Sequence, residues 1–252
     1  DLVTSPEVFY ESGVGFGRFQ KWLVDYPAQS LYETIPNFHH TPRRLEDLKR
    51  AIQKDSHGRV AEVAPEIDFI LQREAFTHTL MNAYRKGKLP LKVTHNDTKL
   101  NNILMDQKTG KALCVIDLDT VMPGFSVTDF GDAIRFGATS AAEDEVDLSK
   151  VHFRMDLFRC FTAGFMAGCE GNLTDEEINL LPTGAKMMTL ECGIRFFLFF
   201  FQGDVYFNTH RPGQNLDRTR TQLALVAEME DYWTEMMAIV SGYVGTSQSV
   251  EL

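Results

Sequence analysis

The chain has 252 residues, with 25 Lys and Arg against 35 Asp and Glu, a formal net charge of 25 − 35 = −10. That balance excludes a sequence-independent nucleic-acid binder, which needs basic side chains to neutralise phosphates. With 19 Phe, 7 Tyr and 2 Trp there is apolar area enough for a folded core, and the longest unbroken apolar run, Phe196 to Phe201, is too short to span a bilayer.

Ser5-Pro6-Glu7 predicts the first helix: a side-chain cap, Pro at the first helical position and an acid in the positive first turn. It is expected to run to about Val24 and stop near Tyr26-Pro27. Thr41-Pro42 caps a second helix to about Lys54. A third is expected from about Pro65 to Lys86, with Ile67, Ile70, Leu71, Phe76 and Leu80 at helical spacing.

The middle of the chain changes period. Leu91 to Thr94 reads as a short strand, and Ile103 to Asp106 and Leu113 to Ile116 as two more, joined by the turn Lys108-Thr109-Gly110. After Gly131 the chain is expected to turn helical again. Thr174 to Glu177 is a capping box, Met187 to Phe201 an apolar buried helix, and Leu223, Val226, Met229, Trp233, Met236 and Val240 one face of a last long helix. The whole is an α+β chain, mostly helical, with a small central β-hairpin unit and no linker dividing residues 1–252.

The chemistry concentrates in Val93-Thr94-His95-Asn96-Asp97-Thr98-Lys99-Leu100-Asn101-Asn102. This polar loop between apolar strands holds a carboxylate (Asp97), a cation (Lys99) and an amide (Asn102), and the strand Leu113 to Ile116 delivers Asp117 and Asp119 at its end. Ionisable groups crowded at strand ends are costly unless they bind something. Two carboxylates and an amide oxygen suit Mg²⁺, a lone carboxylate can orient a hydroxyl, and a Lys can meet a phosphate, which together make the parts of a phosphoryl-transfer site.

His95-x-Asp97-x-x-x-x-Asn102 followed by Ile116-Asp117-x-Asp119 resembles the catalytic loop and metal-binding strand of the aminoglycoside phosphotransferase/choline kinase superfamily. The longer strings HNDTKLNNIL, CVIDLDTVMPG, DFGDAIRFG and GIRFFLFFFQGDVYFNTHRPGQNLDRTRTQL resemble the N-acetylhexosamine 1-kinases within it, from about Pro6 to about Trp233. The resemblance implies a protein-kinase-like C-terminal lobe, ATP as donor and Mg²⁺. It implies that Asp97 accepts the acceptor's proton, that Lys99 meets the transferred phosphate, that Asn102 and Asp117 hold metal on the nucleotide, and that Asp119 touches a second metal or a water. Arg195 and Tyr206, with Asp97, are implied to hold the sugar. The acceptor is then N-acetylglucosamine or N-acetylgalactosamine, phosphorylated at the anomeric hydroxyl, by a cytoplasmic enzyme with no nucleic-acid or membrane partner. Another small hydroxyl acceptor (choline, an aminoglycoside, a hydroxy amino acid) and a non-catalytic sugar-binding module are the alternatives. The small nucleotide lobe of such kinases is expected to lie outside residues 1–252, leaving these residues inactive alone.

Other features have plainer readings. His95 is expected to hold backbone rather than act as a base. Asp129, 129 − 97 = 32 residues after Asp97, and Asp132 read as helix-start or loop-bracing acids despite the Asp129-Phe130-Gly131 string. Gly13-x-Gly15-x-Gly17 reads as close helix packing and not as a phosphate loop. His39, His40 and His57 read as surface loop positions, Phe196 to Phe201 as core, and Arg195 apart from the resemblance as an equal candidate for a structural ion pair. Four cysteines without C-x-x-C spacing read as reduced thiols.

Overall fold

The computed structural model describes residues 3, 5–205 and 209–245. Helix α1 spans Pro6–Trp22, with the Ser5 hydroxyl accepting from Val8 N at 3.3 Å. Helix α2 spans Thr41–Lys54, and its cap is His40, whose Nδ1 accepts from Arg43 N at 3.2 Å; Thr41 and Pro42 are its first residues and not its cap. The single helix expected over 65–86 is three pieces, α3 (Ala64–Leu71), α4 (Glu74–Thr77) and α5 (Thr79–Arg85). The breaks come where Arg73 N, Phe76 N and His78 N reach carbonyls three residues back, tightening the helix into a turn. Arg73 fixes the first break by bonding Phe69 O and the Glu230 carboxylate.

Strand β1 (Lys92–Thr94) pairs antiparallel with β4 (Met122–Gly124), and between them β2 (Ile103–Met105) pairs with β3 (Ala112–Val115). One hairpin is thus nested inside the other. The turn after β2 is fixed by Asp106 Oδ1, which accepts from Lys108 N and Thr109 N, and by Gly110 at φ +68.

Helix α6 (Ser126–Gly137) begins before Gly131, because the Phe125 carbonyl already accepts from Thr128 N and Asp129 N. Helices α7 (Met155–Cys169), α8 (Asp175–Phe201), α9 (Gln214–Asp231) and α10 (Trp233–Ser241) follow. The last long helix expected from the sequence is divided between α9 and α10 at Tyr232 (φ −86, ψ 8), and Met229, Met236 and Val240 still face the core. The capping box is present: Glu177 N donates to Thr174 Oγ1, and Thr174 N to Glu177 Oε2. Glu177 is fully buried and also takes Ser126 Oγ and Lys92 Nζ, so one carboxylate joins β1, α6 and α8.

The core is aromatic. Phe130 of α6 lies edge-on to Phe158 and Phe165 of α7, and Phe197 and Phe201 at the end of α8 are buried. No helix among the described residues is long and apolar enough to cross a membrane. Helices α1 and α7 cross in direct backbone contact. A Cβ on Gly13 would lie 2.7 Å from Phe161 O, and Gly17, Gly164 and Gly168 are equally closed by backbone of the opposing helix. The Gly13/Gly15/Gly17 set therefore serves packing.

Candidate active site

The loop between β1 and β2 carries His95 to Asn102, and the loop between β3 and β4 carries Asp117 to Val121. Each fixes the other: Ile116 N donates to Asn102 O at 2.9 Å, Thr120 Oγ1 to His95 O at 2.7 Å, and Asn96 Nδ2 to Thr120 O at 2.9 Å. Asn96 sits at φ +66 and Asp117 at φ +64, left-handed positions that Asn and Asp tolerate best among residues with a side chain. Nested hairpins with such turns bring both acidic motifs to one place.

His95 is fully buried, edge-on to Phe16 and Phe19 of α1. Its Nε2 meets Ile116 O at 2.8 Å and its Nδ1 accepts from Asp97 N at 3.3 Å. The ring thus donates on one side, accepts on the other and holds backbone, as expected. Asp129 and Asp132 sit three residues apart on α6 and take the loop's amides. Asp129 accepts from His95 N at 2.9 Å, Asn96 N at 2.8 Å and Gln20 Nε2 at 2.7 Å; Asp132 accepts from Thr98 N at 2.9 Å. Burial alone would raise the Asp132 carboxyl, but Arg135 and His39 hold it below its ordinary value.

Asp97, Lys99 and Asn102 form one cluster. Lys99 Nζ donates to Asp97 Oδ2 at 2.7 Å and Asn102 Nδ2 to the same oxygen at 2.9 Å. Asp97 Oδ1 takes no hydrogen bond from any described residue. Asp117 and Asp119 stand exposed beside this cluster. The hydrogen bond and charge of Asp119 push Asp117 above its ordinary value, Asp97 adds to this, and the bond from Asp117 holds Asp119 below its own. Two like-charged carboxylates held together, with the Asn102 amide nitrogen turned to Asp97 and its oxygen left for another partner, are a donor set suited to a hard cation. Among the described residues no three His, Cys, Asp or Glu side chains form a cage. That composition fits Mg²⁺, which takes one or two carboxylates and completes its shell with water and phosphate oxygens.

Asp97 and Lys99 line a cavity of about 510 Å³ whose far wall is Arg195 and Glu191 of α8 and Arg218 of α9. Arg195 was expected there; Tyr206 lies outside the described residues. The cavity holds side chains the sequence reading did not single out. Glu191 is fully buried, accepts from Thr41 Oγ1 at 2.6 Å and faces His39 Nδ1 at 2.8 Å. His39 is therefore not a surface residue: its side chain is 10% exposed. His57 is exposed, as expected. Glu143 accepts from Arg135 Nη1 at 2.8 Å, and Arg135 also reaches Asp132 at 3.0 Å. Burial pushes the Cys192 thiol in the wall up to about 12, so it supplies no nucleophile at neutral pH. An acid inside the apolar stretch Met187 to Phe201 was the one sequence signal for Glu191.

Among the described residues, Phe38, Phe136 and Phe196 line the cavity, and a guanidinium lies near each ring. Arg195 is 5.4 Å from the Phe38 centroid, Arg135 5.9 Å from Phe136 and Arg218 5.5 Å from Phe196. Each carboxylate among the described lining residues meets a basic side chain: Lys99 for Asp97, Arg135 for Asp132 and Glu143, and the His39 imidazole for Glu191.

A helical body carrying nested hairpins, with a carboxylate, Lys and Asn on one loop and two acids on the next, defines a phosphotransferase of the kinase-like kind. Residues 5–156, more than half of the chain, match the phosphotransferase enzyme family, and the chain belongs to that family. Among solved structures, choline kinase from Cryptosporidium parvum Iowa II is similar, with a TM-score of 0.55 and 14% identity over 94% of this chain and 69% of that one. At that identity the likeness concerns the fold, which is the mostly helical, kinase-like fold expected from the sequence.

Proposed function

We propose that the protein transfers the γ-phosphoryl group of ATP, with Mg²⁺, to the anomeric hydroxyl of N-acetylglucosamine or N-acetylgalactosamine, and that residues 1–252 act as its catalytic-loop and acceptor-binding lobe. The observation that carries the acceptor class is the pairing of Phe38, Phe136 and Phe196, the described phenyl rings of the cavity, with a guanidinium each. A quaternary ammonium needs ring faces or unpaired carboxylates. Here the rings already meet cations and the carboxylates are already paired. A neutral, hydroxyl-rich acceptor suits the same groups, since Arg offers several donors in a fixed fork.

In this reading Asp97 Oδ1, the oxygen without a donor, accepts the hydrogen bond and then the proton of the acceptor hydroxyl. Lys99 and Asn102 hold Oδ2, so the carboxylate cannot rotate away. Asn102, Asp117 and Asp119 would hold the metal, which when bound neutralises charge on the nucleotide phosphates. Lys99 can shift from Asp97 toward the transferred group as that charge arrives. Arg195 and Tyr206 complete the sugar site. The four free cysteines fit a reducing compartment, the cytoplasm.

An acceptor panel tests the reading: the whole protein with ATP and Mg²⁺ against N-acetylglucosamine, N-acetylgalactosamine, choline, an aminoglycoside and a hydroxy amino acid. The expected product is a sugar 1-phosphate. Turnover of choline or the aminoglycoside with none of either hexosamine overturns the acceptor assignment and leaves the phosphotransferase class intact.

A further inference from the structure

His39 has an unusual set of neighbours. Its Nδ1 faces Glu191 Oε1 at 2.8 Å and its Nε2 faces the Asn96 carbonyl at 3.1 Å. A carboxylate and a carbonyl are both acceptors, so both ring nitrogens must donate, and only the imidazolium has a proton on each. The Asn96 carbonyl belongs to the peptide that joins Asn96 to Asp97. From the core side the loop is already held at Asn96 N by Asp129 and at Thr98 N by Asp132. His39 bonds the next peptide of the same turn, at Asn96 O, from the segment leading into α2, and Glu191 anchors it from α8.

We propose that His39, as an imidazolium bridging Glu191 and the Asn96 carbonyl, is a positioning residue that fixes the peptide carrying Asp97 and so the direction of its reactive oxygen. The inference rests on the reading of Asp97 as the carboxylate that meets the acceptor. The charges around the ring favour it on balance. Burial disfavours the charged ring, but the bond and charge of Glu191, with Asp132 of α6, outweigh that and the opposing Arg195 of α8, and His39 is held above its ordinary value. Thr41 Oγ1 of α2 donates to Glu191 Oε2 and keeps that carboxylate in place. A neutral ring could donate only one of the two bonds. The peptide that joins Asn96 to Asp97 would then lose this restraint without the fold losing an element.

Two measurements decide this. Nitrogen-detected imidazole spectra of the ¹⁵N-labelled chain, with the His39 signals assigned by their loss in His39→Gln, are expected to show both nitrogens protonated at pH 7.5, and only one in Glu191→Gln. A His39 that deprotonates at or below its ordinary value of 6.5 overturns the proposal without any assay of turnover. In the whole protein, His39→Gln and Glu191→Gln are each expected to lower kcat by about ten- to a hundredfold, since a small misplacement of a reacting group costs about that much. Nucleotide KM should stay within about threefold. Wild-type kcat should fall as pH rises through the value read for His39, and the His39→Gln profile should be flat there. Where His39→Gln does not fold, the isosteric Glu191→Gln carries the test. Unchanged kcat in a folded variant overturns the positioning role. If Asp97→Asn keeps its turnover, the reading of Asp97 fails, whatever the spectra of His39 show.

Discussion

Asp129, in the first turn of α6, accepts from the backbone N–H of Asn96 at 2.8 Å, one peptide unit ahead of the one that joins Asn96 to Asp97. Its second oxygen takes His95 N and Gln20 Nε2. Every partner is a donor, so Asp129→Asn would turn an amide NH₂ toward at least one of them. The variant should lose about 1–3 kcal/mol for a buried donor left unsatisfied, seen as a lower midpoint in urea unfolding with an unchanged slope. An unaltered midpoint would mean that the loop does not depend on α6.

Asp97→Asn preserves the shape of the Asp97, Lys99, Asn102 cluster but cannot accept a proton. Turnover should drop by about a hundred- to ten-thousandfold, the usual range for a positioned acid–base group, while hexosamine affinity measured by calorimetry changes little. Near-normal turnover would remove Asp97 from the role given to it.

Asp117→Asn separates the metal from the acceptor. It removes one of the two carboxylates whose mutual repulsion a cation relieves. The Mg²⁺ concentration giving half-maximal rate should rise by about ten- to a hundredfold, the scale for a damaged metal shell, with acceptor KM little altered. Chelation by EDTA should abolish turnover reversibly in the wild type. A normal Mg²⁺ requirement in the variant would place the metal elsewhere.

The pair His39–Glu191 gives stability a defined pH window. His39 is raised, so its contribution is complete below the ordinary 6.5 and is lost as pH rises through its folded value. Glu191 is lowered: burial opposes ionisation, but His39, Thr41 and Arg195 outweigh it, so its contribution is complete above the ordinary 4.5 and is lost as pH falls through its folded value. The Tm difference between wild type and His39→Gln in calorimetry should therefore be greatest between those two ordinary values and shrink on the alkaline side. A difference that is constant from pH 5 to 9 would contradict the charged pair.

Gly164→Ala tests the α1–α7 crossing. Alanine gains about 1 kcal/mol of helix propensity over glycine, yet its Cβ would meet the Tyr10 carbonyl of α1. Overpacking costs about 1–3 kcal/mol, so the variant should be less stable despite its better propensity. A higher Tm would show that the helices can separate without loss.

The Asp97, Lys99, Asn102 cluster was legible because its parts are neighbours in the chain: they lie within six residues, and Asp117 ends an apolar strand. The same locality made the capping box at Thr174 and the packing glycines of α1 readable. His39 and Glu191 are 152 residues apart, and no local pattern joins a loop histidine to an acid in an apolar helix. Strand β4 was hidden because Met122-Pro123-Gly124 carries two strand breakers, and its partner is β1, about thirty residues away. The break at Arg73 depends on Glu230, another long-range partner, where apolar spacing alone favoured one continuous helix.

Asp129 and Asp132 stand one turn apart on the same face of α6, and the amides of His95, Asn96 and Thr98 lie along that face. The pitch of a single helix thus serves as a ruler for the loop between β1 and β2. The opposite wall, with Arg195 and Arg218, is supplied by α8 and α9. In the proposed reading, chemistry and choice of acceptor are therefore set from different helices. Recasting the α8 and α9 wall, with Glu191 left in place, offers a route to new acceptors in which the transfer machinery keeps its geometry.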